Sequence, residues 1–348
     1  MHVDFVRHGF CPHYATVPLR DPLSSSPQAL RQPIALRGAR KARYEGAMAS
    51  VSFGQDLMWR IEAAAYDVLE AFARLFPIDA VSDFGAWLFR RLGPLTSARR
   101  VVETNMRIAF PEASDAEIAR LLDVQWGEVG RWFAEFPILD RIIADPSRVE
   151  VMGAERLKAI ADGAGPVVFI SGHFSSFEIM PAVIIHSGVT CQITYRATNN
   201  PYVDERIRKA RFRYGVRLFA PKGSDGAREL LRALSRGESV ALMNDQKFNG
   251  GIAAPLFGVT AHTAPGPSTF ALRFGVPLQP MSVQRTGKAR FRVMVHDPIH
   301  LADTGDRAAD IEAGVRRINS FIEDRVRDRP TEWFWVHKRW PSEVYKTR

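Results

Sequence analysis

Cysteine is nearly absent from this chain. Among 348 residues there are two, Cys11 and Cys191, and neither belongs to a Cys/His spacing that would hold a metal. No disulfide framework, metal or cofactor is therefore expected. Long apolar runs are also missing. No stretch reaches the ~18 consecutive apolar residues of a membrane span. The N-terminus lacks the apolar segment of a secretory signal, and no internal repeat is evident. Acidic residues are the minority charge, 38 against 47 Lys and Arg, for a formal net charge of +9. Such a surface attracts phosphates and other anions. Charge alone would suit nucleic acid, but no reading helix or aromatic RNA-binding signature accompanies it, so no nucleic-acid partner is expected.

What is present divides into three parts. Residues 1–50 contain Pro12, Pro18, Pro22, Pro27 and Pro33, a Ser24-Ser25-Ser26 run and a basic stretch from Arg37 to Arg43. This composition predicts a disordered extension, with Met48 as an alternative start. Residues 51–148 read as helical. Leu57, Ile61, Ala65, Val68, Leu69, Phe72, Leu75 and Phe76 recur at helical steps, and Phe84, Trp87, Leu88, Phe89 and Leu92 continue beyond Pro77. Glu62, Asp67, Glu70 and Arg74 interrupt the run, so it is amphipathic rather than spanning. It fits either a helical hairpin packed on the main domain or a segment lying in a membrane surface, the second favoured by Trp59, Trp87 and Arg90-Arg91. Further helices follow over 97–144, with Ser114 as an N-cap and Trp126, Val129, Trp132 and Phe133 as a core stripe.

From 149 to 348 strands and helices alternate. Strands are predicted at 166–170, 190–195, 216–219, 239–243, 277–284 and 289–296. Helices are predicted near 175–186, 202–213, 225–236, 266–274 and 307–328. This pattern predicts an α/β domain with a mixed, mainly parallel sheet flanked by helices.

The stretch Pro166 to Pro181, PVVFISGHFSSFEIMP, is the centre of that domain. Val167 to Ile170 reads as a buried strand, and His173 sits at its carboxyl end, where open α/β sheets bind ligands. Glu178 follows five positions later in the first helical turn. A carboxylate there can orient the His173 imidazole and leave its other nitrogen as a general base. Ser175 to Glu178 also fits a capping box, in which Glu178 only holds the helix start.

Other constellations follow in this half. Tyr195-Arg196 and Asn199-Asn200-Pro201 lead to a basic segment containing Arg206, Arg208, Arg211 and Arg213, of which Arg206 and Arg208 read as a solvated face. Asn244-Asp245-Gln246 ends another strand. Pro255-Leu256-Phe257-Gly258 reads as a pocket-shaping loop or an ordinary turn. The tail from Glu332 to Trp340 combines three tryptophans with cations, as at a membrane–water interface, or forms a last core strand. His262, His296 and His300 read as structural.

In order, Gly172-His173-x4-Glu178, Tyr195-Arg196 with Asn200-Pro201, Arg211-Phe212-Arg213, Asp245-Gln246, Pro255-Leu256-Phe257-Gly258 and Trp335-x-His337-x-Arg339 resemble the late (lauroyl/myristoyl) acyltransferases of lipid A biosynthesis. The resemblance covers roughly 56–341. It implies a glycerolipid-acyltransferase-like fold and a peripheral enzyme on the cytoplasmic face of a bacterial inner membrane. It implies acyl carrier protein as the acyl donor, and a lipid A precursor hydroxyl as the acceptor. His173 and Glu178 match the family's dyad, and Arg196, Arg211 and Asp245 would bind substrate. Residues 56–92 depart from the apolar anchor helix of many members. A different glycolipid or aminolipid acceptor, or a non-catalytic lipid-binding protein of the same fold, are the alternatives.

Overall fold

The computed structural model describes residues 51–346 apart from 196, 217, 218, 222 and 223. The extension 1–50 and Arg196 lie outside the described residues.

The helical part begins with α1 (Phe53–Leu75) and α2 (Ile78–Leu92), followed by α3 (Ala98–Ala109), α4 (Asp115–Glu135) and the short α5 (Leu139–Ile143). Ser52 caps α1 through the Gln55 amide, and Pro77 separates α1 from α2. A full capping box, Ser114 with Glu117, starts α4. Helices α2 and α4 cross where Gly85 meets Gly130. A Cβ at Gly85 would lie 2.3 Å from the Gly130 carbonyl oxygen, so only glycine permits this approach.

The α/β part contains β1 (Val149–Met152), α6 (Ala154–Ala161), β2 (Val168–Ser171), α7 (Ile179–His186), β3 (Cys191–Tyr195), α8 (Pro201–Arg213), β4 (Phe219–Pro221), α9 (Ser224–Ser235) and β5 (Ser239–Met243). The hairpin β6 (Ile252–Leu256) and β7 (Val259–Thr263), α10 (Gly266–Phe274), β8 (Leu278–Gly287), β9 (Arg290–Val295) and α11 (Arg307–Asp328) complete it. The seven-stranded sheet has the order β1-β9-β8-β2-β5-β3-β4. Only the β8–β9 pair is antiparallel. Every residue of central β2 is buried, as expected when helices cover both faces of a parallel sheet.

The mixed, mainly parallel sheet flanked by helices is therefore the fold, and the expected strands occur with boundaries displaced by up to three residues. Four elements were not anticipated: β1, α6, β6 and β7. β1 is four residues long with Glu150 inside it, too short for an alternating signal. Of the two readings of Pro255–Gly258, the turn is the one found, joining two strands of a hairpin. Pro255 and Leu256 belong to β6, and Phe257 (φ 53°) with Gly258 (φ 72°) forms the two-residue hairpin turn. Phe257 is an unusual residue for that conformation, and its amide donates to Glu323 Oε2 at 2.7 Å.

Helix α1 is tied to the start of α8. Asn200 caps α8 through its Oδ1, while its Nδ2 donates to Glu62 at 2.8 Å. The Tyr202 hydroxyl donates to Asp56, and Arg206 donates to Asp67. Arg206, expected on a solvated face, thus bridges two helices. The outer faces of α1 and α2 remain apolar and exposed, with Leu57, Ile61, Val68, Phe72, Leu75, Phe84, Trp87 and Leu92 among them. Arg91 lies 4.5 Å from the centroid of the Trp87 ring. Among the described residues, no helix is long and apolar enough to cross a membrane.

The tail does not form an interfacial belt. Trp333, Trp335 and Trp340 are buried. Their indole N–H groups donate to Asp245, the Pro330 carbonyl and the Leu256 carbonyl respectively. The Asn105 amide holds the Trp335 and His337 carbonyls at 2.7 and 2.8 Å. The interfacial reading of this tail is thereby corrected, because each ring has both its apolar body and its polar edge satisfied inside the protein.

Candidate active site

The site forms where β2 and β5 end side by side. Their parallel register pairs Ser171 with Met243. His173 and Asp245 each lie two residues beyond that pair, so equal extension of two adjacent strands brings them together. Gly172 permits the close approach, since a Cβ there would sit 3.2 Å from Asp245 Oδ2 and closer still to the Phe174 ring.

Asp245 receives three donors. The His173 main-chain N–H and the Trp333 indole N–H both donate to Oδ2 at 2.7 Å, and His173 Nδ1 lies 2.7 Å from Oδ1. Burial works against ionisation of Asp245, but the His173 imidazole and these hydrogen bonds hold its carboxyl well below the usual carboxylate range. A charged Asp245 fixes the proton on Nδ1 and leaves Nε2 as the acceptor nitrogen.

Glu178 does not make the expected contact with this imidazole. Helix α7 starts at Ile179, with Glu178 at the N-cap position making no side-chain capping bond. The capping box also fails, because Ser175 has φ 45° and its buried Oγ has no partner. Glu178 faces α8 instead. Arg211 Nε donates to Glu178 Oε2 at 2.9 Å, with a second guanidinium nitrogen on Oε1, and the Tyr214 hydroxyl donates at 3.3 Å. Burial tends to lower the Arg211 pKa, yet the Glu178 carboxylate keeps it above its ordinary value. The guanidinium also stacks over Tyr195 at 4.5 Å. Asp245, expected to touch substrate, is buried behind His173 and makes the contact with its imidazole that was expected of Glu178.

A cavity of about 640 Å³ opens beside His173. It crosses the carboxyl ends of the sheet, with Met281 from β8, Ile170 from β2, Leu242 from β5 and Ile193 from β3 along its wall. Helices contribute Trp132, Phe136, Ile184, Val203 and Ile207, and Tyr66 and Leu69 come from α1. Its polar members include His173, Glu178, Arg211, Gln246 and His337. Trp132 and Phe133, read as core stripe, line it, and Trp132 stacks on Phe177 at 5.4 Å. A helical apolar period does not distinguish a core face from a cavity wall, so the sequence carried no signal for this. His337 stands 6.1 Å from His173 between ring centroids. Among the described residues, no group of three or more His, Cys, Asp and Glu could hold a metal.

Behind the His173 turn lies a buried ionic network. Arg285 on β8 donates to Glu128 at 2.7 Å and to both Glu135 oxygens at 2.7 and 2.9 Å, all from α4. Ser82 of α2 donates to Glu135 at 2.6 Å. Glu332 accepts the Arg285 amide at 2.9 Å. Burial, and secondly the neighbouring Glu128, push Glu332 up to about 7. A carboxyl raised in this way stabilises the fold fully below its unfolded pKa, and the contribution is lost as pH rises through the folded value. We expect Glu332 to cost roughly 3 kcal/mol at most on going from about pH 4.5 to about pH 7 and above. Urea unfolding should show Glu332→Gln gaining on the wild type above pH 7 and not at pH 5. Equal urea midpoints for the two proteins at pH 8 would contradict it.

Compared with curated protein sequences, the chain matches none. The model of the family described as bacterial lipid A biosynthesis acyltransferase matches residues 60–342, a span that includes His173, Glu178, Arg211, Asp245 and every described wall of the cavity. On that match over most of its length, the chain belongs to the bacterial lipid A biosynthesis acyltransferase family.

Proposed function

We propose that this protein transfers a fatty acyl chain from an acyl carrier protein thioester to a hydroxyl of a lipid A precursor. The observation that carries this reading is the placement of His173. Its Nδ1 is held by buried Asp245, and the residue lines a largely apolar cavity. Nε2 accepts the proton of the acceptor hydroxyl as its oxygen attacks the thioester carbonyl. The tetrahedral oxyanion collapses, the carbon–sulfur bond breaks, and the imidazolium returns the proton to the departing thiolate. Asp245 stabilises the imidazolium between those steps. Arg211, kept charged by Glu178 at the cavity wall, suits negative charge on the oxyanion or the substrate. The apolar walls suit the acyl chain, and the net charge of +9 suits a phosphorylated acceptor and an acidic carrier. Mass spectrometry of lipid A from cells with and without the protein tests the reading. One acyl chain fewer in its absence is expected, and identical lipid A in both would refute it.

The protein works at the cytoplasmic face of the inner membrane as a peripheral enzyme in this reading. The supporting surface is the exposed apolar face of α1 and α2, flanked by Arg90 and Arg91. Basic residues near an anionic surface contribute about 1 kcal/mol each and are screened by salt. High salt or carbonate should therefore release a large fraction from membranes. Release only by detergent would show that the helix pair inserts as an integral anchor.

A further inference from the structure

We propose that Trp333 is a positioning residue for the His173–Asp245 pair, carried on a strap formed by residues 332–334. The proposal rests on the reading of that pair as the acyl-transfer machinery.

The strap grips the pair at three points. The Trp333 indole N–H donates to Asp245 Oδ2 at 2.7 Å. The Phe334 amide donates to the His173 carbonyl at 3.0 Å, and the Glu332 carbonyl accepts the Ser175 amide at 2.6 Å. Phe174 and Trp333 form an antiparallel bridge between the two segments. The same short segment therefore holds the backbone that carries the imidazole and the carboxylate that orients it.

The division of donors between the two oxygens matters. Oδ2 receives the indole and the His173 amide, so both its in-plane sites are used, and Oδ1 is the oxygen turned to Nδ1. Without the indole, Oδ2 keeps one donor, and the carboxylate gains freedom to rotate about its own axis. Its negative charge is also less delocalised into donors, so it holds a proton on the imidazole more strongly. Ser175, beside the strap, has φ 45° without being glycine. A backbone in that region persists only when its surroundings hold it, and the Glu332 carbonyl does so here. The strap is itself anchored. Trp333 packs edge-on against Trp335 at 4.6 Å, and Asn105 holds the carbonyls of Trp335 and His337.

The other charged and titratable groups around the pair are Glu332 on the strap itself, whose carboxyl is pushed up to about 7, Arg339 and His337 from the tail, and Glu178 and Arg211 across the cavity. Arg339 acts on Asp245 through its charge, while its hydrogen bonds go to the His262 carbonyl and Thr263 Oγ1. Trp333→Phe alters none of these groups and removes one donor.

The test is steady-state transfer from lauroyl- and myristoyl-acyl carrier protein by full-length Trp333→Phe, with its fold checked by thermal melting. We expect kcat to fall about 10–100-fold, the worth of one hydrogen bond to a charged group, with KM for the donor unchanged. The acid limb of the pH–rate profile should move to higher pH. In an Asp245→Asn background the same substitution should cost little more, because its effect passes through that carboxylate. A folded variant with wild-type kcat and an unmoved acid limb would overturn the proposal. So would a full multiplicative loss in the Asp245→Asn background. Should Trp333→Phe not fold, Trp333→Met, which likewise has no donor, carries the same readouts. Failure of both to fold would assign the indole to the core alone and also overturn the proposal. His173→Ala, assayed in parallel, separates two failures. If it retains wild-type transfer, the functional reading fails. If it is inactive while Trp333→Phe is unaffected, only the strap is wrong.

Discussion

His173→Ala should lower single-turnover acyl transfer by about 10²–10⁴-fold, the usual contribution of a general base, in a protein that still folds. The imidazole lines the cavity, but its loss leaves Asp245 Oδ1 buried without its partner, so stability should fall by about 1.5–3 kcal/mol while the fold persists. Asp245→Asn should approach the same loss. An amide can present an N–H to Nδ1, which then must act as acceptor and places the proton on Nε2, the wrong nitrogen for a base. The carboxylate is bonded by His173 twice and by Trp333 once, so its removal also loosens the turn. Transfer by purified His173→Ala at the wild-type rate would sink the mechanism outright.

Glu178→Ala should act first on stability. It leaves the Arg211 guanidinium buried without its carboxylate, where Glu178 and Arg211 side chains are 7% and 13% exposed. Breaking a buried pair from one side costs about 3–5 kcal/mol. A urea midpoint measures this directly. Replacing both partners, Glu178→Gln with Arg211→Met, should recover much of the stability, because no unpaired charge remains. Activity in the double variant then reports what the charged pair contributes to the reaction. The opposite pattern, a Glu178→Ala protein with wild-type stability and the inactivity of His173→Ala, would return Glu178 to the role of orienting carboxylate. The two substitutions therefore distinguish a base–carboxylate pair of His173 and Asp245 from one of His173 and Glu178.

The spacing of His173 and Glu178 was visible as a motif, and both residues do line one cavity. Their relation was not visible. Glu178 precedes a short helix whose first turn aims the carboxylate at α8, where Arg211 and Tyr214 end that helix. Arg211 was legible as a cation of interest from its motif, and its partner was not. The tail misled for a similar reason. Tryptophan beside lysine and arginine reads the same whether the rings meet lipid or meet Asp245, Pro330 and Leu256. The exposed face of α1 and α2 was legible because an amphipathic period needs only one helix to declare itself.

Local chemistry by itself determined the alternating strands and helices, the parallel character of the sheet, the position of His173 at a strand's carboxyl end and the amphipathic character of residues 56–92. These follow from side-chain period, turn residues and charge, all of which act over a few neighbours. Tertiary structure alone decided which carboxylate meets the imidazole. Seventy-two positions separate His173 from Asp245. They meet because β5 inserts beside β2 in a register that pairs Ser171 with Met243. Strand order is a global property of chain packing, and a backbone hydrogen-bond ladder accepts any buried apolar strand as a neighbour. Trp333 joins them only after the chain has crossed the whole sheet and returned through α11, which places the last donor to Asp245 beyond the reach of any local signal.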